Sequence, residues 1–182
     1  MKCLLKFALL SSLLLSFTPA FAMFGWLFGG EQSSPFIATV IEITTPEQIE
    51  YIVQSGRPAV IKFSASWCPP CQLLASYYHD VAQECEGVDF YCIDAEITEA
   101  MRPIVAKVIE LGLLKEDLQG IPTIIFFQKD KVHEQIAGLP GMADLMNTNR
   151  TDIKTKEELV KELKGAFVKL VKQTFNIPRN NA

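Results

Sequence analysis

Apolar positions along the chain fall into short runs and helical stripes joined by brief polar connections. "FIATVIEI" (Phe36–Ile43) is β-branched and reads as a strand. In "TTPEQIEYIVQSG" a cap residue at Thr45, a proline at the first helical position (Pro46) and a stop at Gly56 predict a helix. "PAVIKF" (Pro58–Phe63) is apolar enough for a buried central strand. A helix follows over "CQLLASYYHDVAQECEG", stopping near Gly87, and "VDFYCID" (Val88–Asp94) is the next strand. "TEAMRPIVAKVIELGLL" is helical, with Pro103 close to its first turn. "IPTIIFFQ" (Ile121–Gln128), a turn at Lys129–Asp130 and the alternating "KVHEQIAG" (Lys131–Gly138) predict a hairpin. Residues 139–153 read as an irregular loop. A long closing helix over Thr155–Phe175 carries Leu159, Leu163, Phe167 and Leu170 on one stripe. The order βαβαβαββα predicts one α/β domain, a mixed central sheet flanked by helices.

The first residues do not fit that pattern. Lys2 and Lys6 flank a basic n-region, Phe7–Phe17 is an apolar stretch, and Ala20 and Ala22 make the small-x-small pattern of a signal-peptide cleavage site. The apolar stretch is short for a membrane span of about 20 residues. The expected organisation is therefore a signal peptide at 1–22, a lead at 23–35, the domain at 36–175 and a tail at 176–182. A periplasmic or secreted protein follows. "MFGWLFGG" (Met23–Gly30) prolongs the apolar character, so an uncleaved leader is the one route to membrane attachment that the sequence predicts. Cys3 precedes the apolar stretch, where no lipid anchor is attached.

Composition narrows the function classes. The chain has 182 residues, 49% of them hydrophobic, enough for a real core. Its formal net charge of −4 becomes more negative when Lys2 and Lys6 leave with the leader, which argues against a nucleic-acid partner.

Candidate chemistry centres on Cys68-Pro-Pro-Cys71. A helix beginning here brings the two thiols onto one face, within bridging reach. At a helix N-terminus, unpaired N–H groups and the dipole favour a thiolate, so Cys68 is the expected nucleophile. Cys71, one turn inside, is the expected resolving thiol. Trp67 supplies an apolar wall for docking. A zinc site would need a second cysteine pair, and Cys85 and Cys92 lack its spacing. They are either a second disulfide, between a helix end and the next strand, or two small buried hydrophobes. His79 and His133 are expected on the surface or in structural roles, and the lysines of the closing helix on its solvated face.

At this point the sequence resembles the thioredoxin family. "VIKFSASWCPPC" is similar to its apolar strand, Trp-Cys-x-x-Cys motif and following helix. "GIPT" (Gly120–Thr123) resembles its Ile-Pro-Thr signature, and "AGLP" (Ala137–Pro140) falls where the family has a glycine beside the active site. The resemblance covers about Phe36 to Phe175. It implies a thioredoxin-like fold and a thiol–disulfide oxidoreductase acting through Cys68, exposed, and Cys71. It also implies a cis Ile121–Pro122 bond, an Ile121 backbone that pairs with an extended substrate peptide, and a low rim at Gly138. It needs no cofactor beyond the Cys68–Cys71 disulfide. Partners would be protein thiols and disulfides as substrates, with a redox protein that recycles the pair.

Three departures from the family pattern stand out. A buried aspartate of the family aligns with Lys62, which either points inward and favours nearby thiolates or snorkels outward. Pro69 and Pro70 remove N–H donors that would stabilise the Cys68 thiolate, predicting a reductant or isomerase rather than a strong oxidase. The stretch Ala95–Gln119 is longer than its counterpart and, with 139–153, decorates the surface. The rival reading is a binding module: a peptide-holding chaperone, or a copper(I) carrier using Cys68, Cys71 and the nearby Met142 and Met146.

Overall fold

Local punctuation decides where the first helix starts and stops. The Gln48 side-chain oxygen accepts the backbone N–H groups of Thr44 (2.7 Å) and Thr45 (3.0 Å). At the other end Gly56 adopts φ +68° and its N–H returns to the Val53 carbonyl. This is α1, Pro46–Ser55. The structure is a computed structural model that describes residues 39–96, 99, 101–114, 118, 120–147, 153 and 155–178. The predicted signal peptide, lead and first part of the opening strand lie outside the described residues, as does the end of the tail.

The remaining elements are β1 (Ile41–Glu42), β2 (Pro58–Ser64), α2 (Pro69–Glu84), β3 (Asp89–Asp94), α3 (Met101–Glu110), β4 (Thr123–Gln128), β5 (Lys131–Ala137), α4 (Met142–Asn147) and α5 (Lys156–Thr174). The sheet order is β1-β3-β2-β4-β5. β1 and β2 run parallel to β3, β4 is antiparallel to β2, and β5 is antiparallel to β4 with a register shift between Phe126 and Phe127. The mixed sheet with crossovers and a terminal hairpin is the α/β architecture the pattern predicts.

β2 is buried on both faces, as a central strand must be. Ala59, Ile61 and Phe63 pack with Ile49 and Ile52 of α1 and Ile104 and Val108 of α3. Val60 packs on the opposite side with Tyr77, Tyr78 and Val81 of α2 and Leu163, Phe167 and Val171 of α5. Thr155 caps α5: its hydroxyl accepts the Glu158 N–H, and the Glu158 carboxylate accepts the Thr155 N–H. Lys164 then ties α5 to α2 through Glu84 (2.8 Å) and Asp80 (3.5 Å).

Two local expectations are corrected, and one alternative left open by the sequence is decided. Among the described residues the opening strand covers Ile41–Glu42, paired with Tyr91 and Cys92 of β3, so Thr39, Val40 and Ile43 fall outside it. The segment 139–153 is not wholly irregular, since Met142–Asn147 forms α4. Met142 there packs against the core beneath α2 and α5, while Met146 is exposed. Cys85 and Cys92 are free thiols, so no second disulfide forms. Cys85 is the buried C-cap of α2, and Cys92 is a half-buried residue of β3.

Candidate active site

The end of β2 feeds a tight connection that sets Cys68 at the N-cap of α2, in extended backbone. The Cys68 N–H returns to the Ala65 carbonyl (3.3 Å), and the Cys68 carbonyl accepts the Gln72 N–H (3.0 Å). The Gln72 side chain donates to the Ser66 carbonyl at 2.7 Å, and the Ser66 hydroxyl to Glu96 at 3.1 Å, so the connection is pinned from both sides.

Pro69 and Pro70 occupy the first turn of α2, where a missing N–H breaks no intrahelical bond. The first N–H the helix can offer is therefore that of Cys71, and it points at Cys68 Sγ from 3.3 Å. Cys68 and Cys71 are disulfide-bonded, with Cα atoms 5.2 Å apart. The helix N-terminus thus supplies one donor to the outer sulfur where other residues at those two positions would add more.

Burial differs from the exposed nucleophile that the resemblance implies. Cys68 is 4% exposed and Cys71 1%, because Ala65 and Ile121 close over the pair. Cys68 remains the outer of the two. Trp67, beside it, is 66% exposed and forms a free apolar plane next to the disulfide.

The loop before β4 comes to the other side. The Ile121–Pro122 peptide bond is cis, and Pro122 is buried. The Ile121 carbonyl oxygen lies 3.7 Å from Cys68 Sγ. Thr123 donates its hydroxyl to the Gly120 carbonyl at 2.7 Å, holding the turn. Gly138 donates its N–H to the Pro122 carbonyl at 2.7 Å with φ +98°, a backbone conformation that side chains disfavour. A Cβ there would meet open space, so it is backbone geometry rather than crowding that calls for glycine.

Lys62 settles inward. It is 7% exposed in the middle of β2, with Nζ 4.5 Å from the centroid of the Tyr78 ring. Across the sheet it pairs with Cys92 and Ile124, and Cys92 pairs in turn with Glu42. Burial pulls the Lys62 ammonium below its usual value, opposed by the Cys92 thiol. Burial pushes the Cys92 thiol up, with Glu42 and Asp94 adding to the rise and Lys62 opposing it. Sequence reasoning singled out Lys62 but missed this company. The signal was available: strand alternation places Lys62 and Cys92 on the α2 side together with Val60 and Phe90.

Among the described residues, no three His, Cys, Asp or Glu side chains gather as a metal-ligand set. No described helix is long and apolar enough to cross a membrane.

Comparison with known proteins identifies the family. The family model described as Thioredoxin matches residues 39–151, more than half of the chain. Thioredoxin H3 of Arabidopsis thaliana is 29% identical over 94 residues, which cover 50% of this chain and 69% of the plant protein. A thioredoxin of Mycoplasmoides gallisepticum is 25% identical over 53% of this chain and 85% of its own. The solution structure of oxidised thioredoxin from Plasmodium falciparum aligns with 74% of this chain and 97% of its own, at 17% identity and a TM-score of 0.48.

Proposed function

Since the chain belongs to the thioredoxin family and is a thiol–disulfide oxidoreductase of that type, we propose that it works outside the cytoplasm, on protein disulfides, as a reductant or isomerase. The observation that carries the reading is the Cys68–Cys71 disulfide at the start of α2, with Cys68 as the N-cap.

In the reduced protein the Cys68 thiolate attacks a substrate disulfide, and one substrate thiolate leaves. Cys71 then attacks Cys68 Sγ, the mixed disulfide breaks, and the second substrate thiol is released. The substrate gains two electrons and two protons, and the protein ends in the disulfide state seen here. A dithiol partner protein returns the electrons, and the cysteines serve as the whole redox centre. The exposed Trp67 plane and the Ile121 backbone form the wall and edge against which an extended peptide docks.

The poise follows from counting donors. With Pro69 and Pro70 in the first turn, one N–H serves the Cys68 sulfur, so its thiolate is less favoured than where a donor or a cation fills those positions. Location outside the cytoplasm is supported by the basic, apolar and small-residue succession at residues 1–22.

Reduction of insulin by dithiothreitol tests the activity: catalysis is expected from the wild type and background turbidity alone from Cys68→Ser. A potential near the strong-oxidase value of about −120 mV would overturn the reductant reading. Cys71→Ala expressed in cells is expected to accumulate mixed disulfides with proteins of the envelope.

A further inference from the structure

We propose that Lys62 is a positioning residue for the buried half of the redox pair, its ammonium stabilising the Cys71 thiolate and so setting the poise of the disulfide. The inference rests on the redox reading of Cys68 and Cys71 and assigns the electrostatics beneath them.

A lysine in the middle of a central strand needs a reason. Its neighbours Ile61 and Phe63 are fully buried, and an apolar side chain would fill the site without desolvating a charge. The Tyr78 ring, 4.5 Å from Nζ, gives the ammonium a cation–π contact but no anionic partner. Among the described residues no carboxylate forms an ion pair with Lys62, unlike Lys107 and Lys164, which each hold two.

The cavity supplies the partner. Lys62 lines a cleft of about 310 Å³ together with Cys71, Cys92, Glu42, Asp94 and Ser64. Groups that titrate or carry charge face it from every packed element: Glu42 from β1, Cys92 and Asp94 from β3, Cys71 and Tyr78 from α2. Glu42 and Asp94 are exposed, so solvent screens them. Tyr78 is buried with its hydroxyl on the Val60 and Tyr91 carbonyls, and burial holds its own pKa high. Cys92 shares the ammonium but takes no part in the disulfide. Cys71 is the group in the cleft whose charge changes with redox state.

Reduction by a dithiol breaks the Cys68–Cys71 bond, and the dithiol departs as a disulfide after giving two electrons and two protons. One proton ends on Cys68 Sγ, which gives it up to solvent when that sulfur attacks a substrate disulfide. The other ends on Lys62 Nζ or, where the lysine is already charged, in solvent. The Cys71 sulfur is left as a thiolate facing the ammonium. The oxidised protein has no such anion, so Lys62 favours the reduced state. From the Cys71 side it offsets part of what the two prolines withhold from the Cys68 side.

The test equilibrates the full chain with glutathione buffers between pH 6 and 9 and reads the disulfide fraction by alkylation. Lys62→Met is expected to shift the equilibrium constant about tenfold toward the disulfide, equivalent to about 30 mV. Lys62→Arg is expected to stay near wild type. The lysine–methionine difference should shrink toward low pH, where Cys71 is protonated in both. Lys62→Gln gives the same readout if the methionine variant fails to fold. Cys92→Ala should leave the difference intact, and its collapse in that background would reassign the effect and overturn the proposal. Equal constants within twofold for Met, Gln and Lys at position 62 would also overturn it, whatever happens to stability. A wild type that fails to reduce insulin would sink the catalytic reading while leaving this equilibrium measurable.

Discussion

Ala59, Ile61 and Phe63 leave β2 toward α1 and α3, while Val60 and Lys62 leave the same strand toward α2 and α5. The first layer is built almost wholly of aliphatic side chains and phenyl rings, with Tyr91 at its margin. The second layer holds as many large side chains but mixes in chemistry: the Lys62 ammonium, the Cys85 and Cys92 thiols, and the hydroxyls of Tyr77 and Tyr78. The disulfide sits at the start of the helix that roofs this second layer. One side of the sheet anchors the fold, and the other carries the groups whose protonation and oxidation states change.

Substitutions on the two sides should therefore move different observables. The largest stability effect is expected from Phe127→Ala on the α1–α3 side, where the ring is fully buried. Urea unfolding should show a loss of about 3–5 kcal/mol, with the glutathione equilibrium of the surviving folded protein unchanged. A changed equilibrium would break the division of labour.

Next comes a pH effect on the α2–α5 side. Burial pushes the Cys85 thiol up to about 11, from an ordinary value near 9. The fold favours the neutral thiol, so its contribution is complete below about pH 9 and is lost as pH rises through 11. Wild type should lose roughly 2–3 kcal/mol more than Cys85→Ala across that window, read as paired urea titrations.

The smallest effects sharpen the comparison within one helix. Tyr78 donates toward the Val60 and Tyr91 carbonyls at 3.3 and 3.0 Å, so Tyr78→Phe should cost about 1 kcal/mol. The neighbouring Tyr77 hydroxyl is buried with no hydrogen-bond partner among the described residues. Tyr77→Phe should then cost nothing, or raise the unfolding midpoint slightly.

Much of the fold was legible beforehand. The apolar run Pro58–Phe63 marked a buried central strand, and Thr45, Pro46 and Gly56 mark a helix whose ends fall where expected. The cysteine spacing and the Ile-Pro-Thr signature pointed to the family that the comparisons show. What escaped depends on contacts distant in sequence. Inward and outward lysines share one pattern, and only a cleft between β3 and α2 gives Lys62 room to stay inside. The six residues of α4 are too few to display helical periodicity. The burial of Cys68 needed Ile121, distant in sequence, to arrive from the loop that enters the neighbouring strand β4.

The two margins of the sheet carry a consequence for behaviour in concentrated solution. Among the described residues β1 offers two residues for pairing, and β5 presents exposed Lys131, His133 and Gln135 beside the register shift at Phe126 and Phe127. A short strand at one margin and a polar, irregular one at the other give a second copy little to extend in either direction. Over the described residues, resistance to edge-to-edge polymerisation is therefore built into the sheet itself.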